Sequence, residues 1–426
     1  MRWYTTALCV LMCSACGTSS TPHSADSEAS RSAVIVVAGF YGTKLARIDN
    51  GNLLWVTASQ AFGGKQSLTL PLPNLALEGV TLRASGILDE VTVVPWVYSF
   101  EFYRPLLDEL GALHNGQGSI SPLNFDWRLD LMKAVRTLSA EIQRLRSEGI
   151  THITLVAHSL GGLIVSYYLR YGDQELETAL ETWEGTRHVE AVVMGGVPFL
   201  GSMWSFRNMQ YGRLVGLNSS ILDHQALSSF PASYYMLPAR EADVLLTPTM
   251  QPVRGGIRTP TNWREQGWGL LQKAEPGAAG IVEARDTYTS YWLHRSQQFY
   301  DLLHAPLTIP PEQAIPVLYL YGSGQPTLDR GVWIAETAGQ SQVNVVFDKD
   351  QFEQRLPDLD PGVVYTDGDG SVTATSSSLP PAYEKALQVT TQRLEKGHLD
   401  LMTSREGRRH IAAFLKDPSA GVRDRQ

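Results

Sequence analysis

Six residues, Ala157-His158-Ser159-Leu160-Gly161-Gly162, separate the apolar run Ile153-Thr154-Leu155-Val156 from a helix-like stretch, Leu163 to Arg170. This order puts a serine on a sharp strand-to-helix turn, the pattern of a nucleophile elbow. Small residues are needed two before and two after the serine, because the turn presses their backbone against the neighbouring strand and helix. Ala157 stands in place of the usual first glycine and adds only one methyl group. The Ser159 hydroxyl is then expected to project above a sheet as the nucleophile of a serine hydrolase or acyltransferase. The competing reading is a strand, a tight turn and an ordinary buried helix.

The surrounding chain favours the elbow. Ala33-Val34-Ile35-Val36-Val37-Ala38 is a continuous apolar run ending at Gly39, the pattern of a buried parallel strand. Similar runs recur at Val91 to Pro95, His152 to Ala157, Val189 to Gly195, Pro316 to Tyr321 and Val363 to Tyr365. Leu131, Ala134, Val135, Leu138, Ile142 and Leu145 recur at helical spacing, with Asp130 as cap and Gly149 as stop. Strands alternating with helices predict an α/β chain with a mostly parallel sheet and helices on both faces. With the elbow, that is the α/β-hydrolase fold. Two segments break the alternation: about 41–90, rich in Leu, Gly and Pro, and about 202–312, which holds Trp204, Trp263, Trp268 and Trp292. We read them as lid and cap insertions that divide the core into 33–201 and 313–417. The tryptophans either fill a satellite core or meet lipid.

The N-terminal residues read as a lipoprotein-type leader: Met1-Arg2, an apolar stretch from Ala7 to Ala15, then Cys16 after the small residues Ser14 and Ala15. Cleavage before Cys16 would leave its thiol for lipidation. A membrane-spanning helix fails on length, since the run covers roughly 10 residues and a bilayer needs about 20. Residues 17–32, rich in Ser, Thr and Ala, read as a flexible tether. Cys9, Cys13 and Cys16 all lie in this leader, so the cleaved chain is expected to hold itself together by its core without an intrachain disulfide. The expected location is the cell envelope, lipid-anchored at the outer membrane or in the periplasm, or secreted. With 43 acidic against 35 basic residues, the formal charge of −8 argues against nucleic acid as partner. The expected partners are a lipid or acyl-ester substrate and a membrane surface, reached through the anchor and by the cap or lid. No metal or nucleotide motif is present in the sequence, so no cofactor is expected.

In an α/β-hydrolase the acid and histidine follow the serine in that order. In the last hundred residues that leaves His398 and His410. His398 follows Gly397 in a turn, where a loop can lower the imidazole onto Ser159, whereas His410 sits in a helical pattern. For the acid, Asp369 in Thr366-Asp367-Gly368-Asp369-Gly370-Ser371-Val372 follows a strand-like run and precedes a returning valine. Asp367 is the runner-up and Asp329 the third choice. A calcium loop is rejected, because its required glycine would fall at Val372 and its closing glutamate at Ser378. The oxyanion hole is assigned to the backbone N–H groups of Phe40 and Leu160.

Taken together, these motifs resemble the lecithin:cholesterol acyltransferase family, which includes lysosomal phospholipase A and bacterial relatives. Val36 to Leu45 looks like its opening V-P-G-x-x-G-S-x-L segment, and Phe125-Asp126-Trp127-Arg128 is similar to its Y-D-W-R segment. Ala157 to Gly162 matches its elbow, and Gly196 to Ser202 its G-x-P-x-x-G-S loop. Tyr319 to Thr327 resembles its Y-G-x-G-x-P-T segment, Asp367 to Val372 its acid loop, and His398 occupies the place of its catalytic histidine. The resemblance implies Asp369 as the acid and an acyl-ester substrate, phospholipid above all, with the acyl group passed to water or an alcohol. Animal members carry a lid disulfide that this chain has no cysteine to make. Asp126 and Arg128 are read as a buried ion pair that pins a loop.

Overall fold

The computed structural model describes residues 31–418 apart from 62, 64–65, 95–97, 115–117, 240–243, 254, 273–278 and 335–343. The leader with Cys16 and residues 17–30 of the tether lie outside these residues. Six strands form one parallel sheet: β1 Ser32–Val37, β2 Gly118–Pro122, β3 His152–His158, β4 Ala191–Gly195, β5 Pro316–Gly322 and β6 Gln388–Leu394. Their spatial order is β6-β5-β4-β3-β1-β2. Along β1, Ala33, Ile35 and Val37 join the core formed with α2 (Leu131–Ser147) and α3 (Leu160–Tyr171), while Val34 and Val36 face α1 (Arg104–His114) and the C-terminal helix Arg405–Lys416. Both faces of the sheet are therefore buried, which is why its central strands read as unbroken apolar runs.

Two of those runs belong elsewhere. Val91 lies in Glu90–Val94, which pairs antiparallel with Tyr98–Glu101 outside the central sheet. Val363 and Val364 lie in a 3-10 turn, Pro361–Val364, and the strand that follows, Tyr365–Gly368, pairs antiparallel with Gln325–Leu328. The two edges of the central sheet are instead β2 and β6, written GSISP and QVTTQRL, whose half-exposed positions leave room for polar side chains. Asp130 caps α2 by accepting from the Met132 N–H, and Gly149 follows its end at φ 84°.

Within 41–90, Leu53–Trp55, Thr43–Arg47 and Leu82–Ile87 make a small antiparallel sheet. The 202–312 segment holds α4 (Met203–Tyr211), a hairpin of Arg213–Val215 and Asn218–Leu222, and α5 (Ala279–Leu303). The boundary expected at 313 needs correction. Leu245–Leu246 pairs with Gly331–Trp333, which pairs with Val345–Val346. The chain thus returns to the cap after β5, because Val332, Val345 and Val346 are buried there and Phe347 packs 6.0 Å from Phe206 of α4.

Trp263 and Trp268 are buried edge to face at 6.0 Å, and their N–H groups donate to Ile257 O and Asn344 Oδ1, so these two pack into a hydrophobic core continuous with that of the sheet. Arg128 pairs with Asp126 at 2.8 Å and donates to Leu68 O, while Trp127 donates to Thr43 O. This buried cluster ties the first insertion to the core.

Candidate active site

Ser159 stands between β3 and α3 with φ 55° and ψ −123°, outside every basin favoured by a residue with a Cβ. Two backbone bonds hold it there: the Ser159 N–H donates to Gly195 O, and the Gly162 N–H donates to Ser159 O, both at 2.8 Å. A Cβ on Gly161 would come within 2.2 Å of Val37 O, so the close approach anticipated for the elbow is present. Glycines at the ends of β1, β4 and β5 give room to the other parts of the site. A Cβ at Gly39 would lie 2.9 Å from Ser159 Cβ, one at Gly196 3.0 Å from the His398 ring, and one at Gly322 2.4 Å from Asp369 Cβ.

Asp369 is buried, and its Oδ2 lies 2.7 Å from His398 Nδ1. Its Oδ1 accepts the N–H groups of Ser371 at 2.9 Å and Val372 at 2.7 Å, and its carbonyl accepts the His398 N–H at 2.9 Å. Burial pushes this carboxyl up, but the neighbouring His398 and the bonds it accepts outweigh burial and hold it below its ordinary value. An ionised Asp369 can only accept, so the hydrogen-bond pattern assigns a proton to His398 Nδ1 and leaves Nε2 free to act as base.

Ser159, His398 and Phe40 line one cavity of about 540 Å³. Phe40 sits in the turn closed by the Gly42 N–H donating to Gly39 O at 2.9 Å, and Leu160 is the first residue of α3. The other candidates lie apart. Asp367 sits on the Tyr365–Gly368 strand, accepts from the Gly324 N–H and faces Arg393 at 3.7 Å. Asp329 pairs with Arg330 at 3.1 Å, and burial pushes its carboxyl up. His410 is on the C-terminal helix.

Two residues of the site are given no role by the sequence: His158, which stands inside the elbow motif, and Tyr103, which no motif marks. The Gly39 N–H donates to Tyr103 Oη at 3.0 Å, Tyr103 Oη lies 2.7 Å from His158 Nδ1, and His158 Nε2 lies 3.0 Å from His398 O. The chain begins at an obligatory donor and ends at an obligatory acceptor, which assigns every proton between them. Tyr103 donates to Nδ1, and His158 is neutral with its proton on Nε2. Burial, with His398 4.7 Å away, pushes its imidazole down to about 3. The loops that carry the oxyanion donor, the nucleophile and His398 are thereby joined through residues 55 and 240 positions apart, which no local pattern can reveal. Tyr103→Phe is expected to strand the Gly39 N–H and His158 Nδ1, lowering stability by about 1–3 kcal/mol and kcat by about tenfold to a hundredfold. Urea midpoints and initial rates on one soluble ester check both effects.

Residues 76–263 match the model of the lecithin:cholesterol acyltransferase family, a span that includes Ser159 but neither Asp369 nor His398. The chain is 24% identical over 358 residues to lysosomal phospholipase A and acyltransferase of Bos taurus, covering 76% of this chain and 69% of that protein. Among solved structures, the crystal structure of the Tle4-Tli4 complex aligns over 92% of this chain and 99% of that one with a TM-score of 0.52 and 11% identity, a likeness of fold. The Bacillus licheniformis lipase BlEst2 in mature form aligns over 92% and 93% with a TM-score of 0.35 and 10% identity.

Proposed function

We propose, from the chain's membership of the lecithin:cholesterol acyltransferase family, that it is a serine-dependent acyl-ester hydrolase or O-acyltransferase acting on lipids, with phospholipid acyl chains as substrate. The observation that carries this reading is that His398, held by the buried Asp369, lines one cavity with Ser159. The exposed Leu214 and Leu217 of the Arg213–Leu222 hairpin add support, since Leu214 also lines the cavity and gives it an apolar rim.

In the proposed reaction, His398 Nε2 takes the proton of Ser159 as Oγ attacks the ester carbonyl. The N–H groups of Phe40 and Leu160 stabilise the oxyanion, and Asp369 holds the imidazolium. Collapse breaks the bond to the alcohol, which leaves with the proton from His398, and an acyl-enzyme remains. Water or a second alcohol, deprotonated by His398, then attacks the acyl carbon and frees Ser159 as an acid or a new ester is formed. The leader through Cys16 supports an envelope-anchored place for this chemistry.

The test uses protein lacking residues 1–16 with phospholipid vesicles, with and without a sterol or long-chain alcohol, and follows products by mass spectrometry beside labelling of Ser159 by a fluorophosphonate. New ester formed only with acceptor identifies an acyltransferase, and free fatty acid alone identifies a phospholipase. Turnover confined to neutral esters would reduce the reading to a lipase or carboxylesterase. No label and no product would leave a hydrolase-fold scaffold.

A further inference from the structure

α4 presents Trp204, Arg207 and Tyr211, spaced i, i+3 and i+7 on one helix face, to the cavity that holds Ser159. The guanidinium carbon of Arg207 lies 5.3 Å from the Trp204 ring centroid and 5.8 Å from that of Tyr211. Arg213, exposed just after the helix, lies 4.9 Å over the ring of Tyr41, another residue of the same wall. Each of these aromatic rings already has a guanidinium beside it. The wall contains no aspartate or glutamate among the described residues. Arg207 is partly neutralised by Asp348 at 3.6 Å, whereas among the described residues Arg213 makes no ion pair, its ring partner being neutral. Ser233 Oγ, on one further wall residue, and the Nε1 of Trp204 are buried without an acceptor.

A trimethylammonium headgroup is recognised by a cage of free aromatic faces or by a carboxylate; this wall has no carboxylate, and its one ring without a guanidinium, Phe40, packs against Tyr41 and Trp127 and makes no cage. The wall offers donors and a positive charge, in the planar guanidinium form that grips phosphate by paired hydrogen bonds. We infer that Arg213, together with Arg207, forms an anion subsite in the cavity of Ser159, selecting acyl esters whose alcohol part carries a phosphate and net negative charge, and disfavouring choline headgroups. The inference rests on the proposed ester-cleaving role of Ser159 and names the substrate class of that same cavity.

The test compares dihexanoyl phosphatidylglycerol with dihexanoyl phosphatidylcholine, both below their critical micelle concentrations, so that only the headgroup differs and no charged surface forms. Release of hexanoate gives kcat/KM for each. The wild-type chain is expected to favour the glycerol lipid about tenfold or more. In Arg213→Gln this ratio is expected to fall close to one through a raised KM for the anionic lipid, and in Arg213→Lys to be partly kept. Arg146→Gln, which removes an exposed positive charge on α2, is expected to keep the wild-type ratio and so separates a local contact from net charge. Equal rates on the two lipids in the wild-type chain, or an unchanged ratio in Arg213→Gln, overturns the subsite. Cleavage of p-nitrophenyl butyrate with labelled Ser159, but of neither lipid, overturns it and leaves the serine-hydrolase reading standing. Failure of both labelling and butyrate cleavage overturns that reading, and the subsite with it.

Discussion

Ser159→Ala is expected to lower kcat for any ester about a millionfold, because removal of a nucleophile that acts as a unit with its base leaves only binding and the oxyanion donors. Ser159→Gly is expected to be equally inactive yet more stable than Ser159→Ala. The backbone at 159 has φ 55° and ψ −123°, and the Cβ of serine or alanine is held there by surrounding bonds at a cost of about 1–3 kcal/mol. Glycine relieves that strain but loses about 0.5–1 kcal/mol through the greater freedom of its unfolded chain. The difference leaves a net gain of about 1 kcal/mol for Ser159→Gly. Urea midpoints of the two variants, measured beside initial rates on p-nitrophenyl butyrate, provide the check. A glycine variant less stable than the alanine variant would show that the elbow stores no strain for the serine to bear.

What could be read from the sequence was what local chemistry dictates. The run from Ala33 to Ala38 is buried on both faces in β1, and the residues from Ala157 to Gly162 form the turn their sizes demand. Gly397 before His398 marked a loop, and Asp369 with its flanking glycines marked another. The failures came where burial and pairing are decided at a distance. Val91 to Val94 is as apolar as a core strand, yet its partner is the neighbouring Tyr98–Glu101. Gln388–Leu394 is apolar only at Val389 and Leu394 because it closes an edge of the sheet, and it reads as no strand at all. Gly331–Trp333 is drawn back to the cap by the burial of Val332, which composition around 313 does not announce. Tyr103 shows the limit most clearly, since its role depends on an N–H from one loop and an imidazole from another.

The acid is the member of the site whose assignment from sequence stayed open, and the structure makes the alternatives unequal. Asp369→Asn is expected to lower kcat about 10⁴-fold, because a neutral amide no longer fixes the proton on His398 Nδ1 or stabilises the imidazolium. Asp367→Asn is expected to stay within a fewfold of the parent: its side chain is half exposed, and its ion pair with Arg393 at 3.7 Å is of the kind worth about 0–1 kcal/mol. Asp369→Asn should also differ from the parent in acid. The carboxyl of Asp369 is held below its ordinary value in the folded chain, so its contribution to stability is full above about pH 4, the unfolded value, and is lost as pH falls through the lower folded value. Removing the charge removes that dependence, so the stability of Asp369→Asn should fall less steeply with acid over that window than the parent's. Measuring kcat at neutral pH for both variants separates the two carboxylates, and urea midpoints from pH 5 downward for Asp369→Asn and the parent check the acid dependence. A 10⁴-fold loss in Asp367→Asn with activity kept in Asp369→Asn would reverse the assignment and require the acid loop to rearrange around His398 before the imidazole could be held.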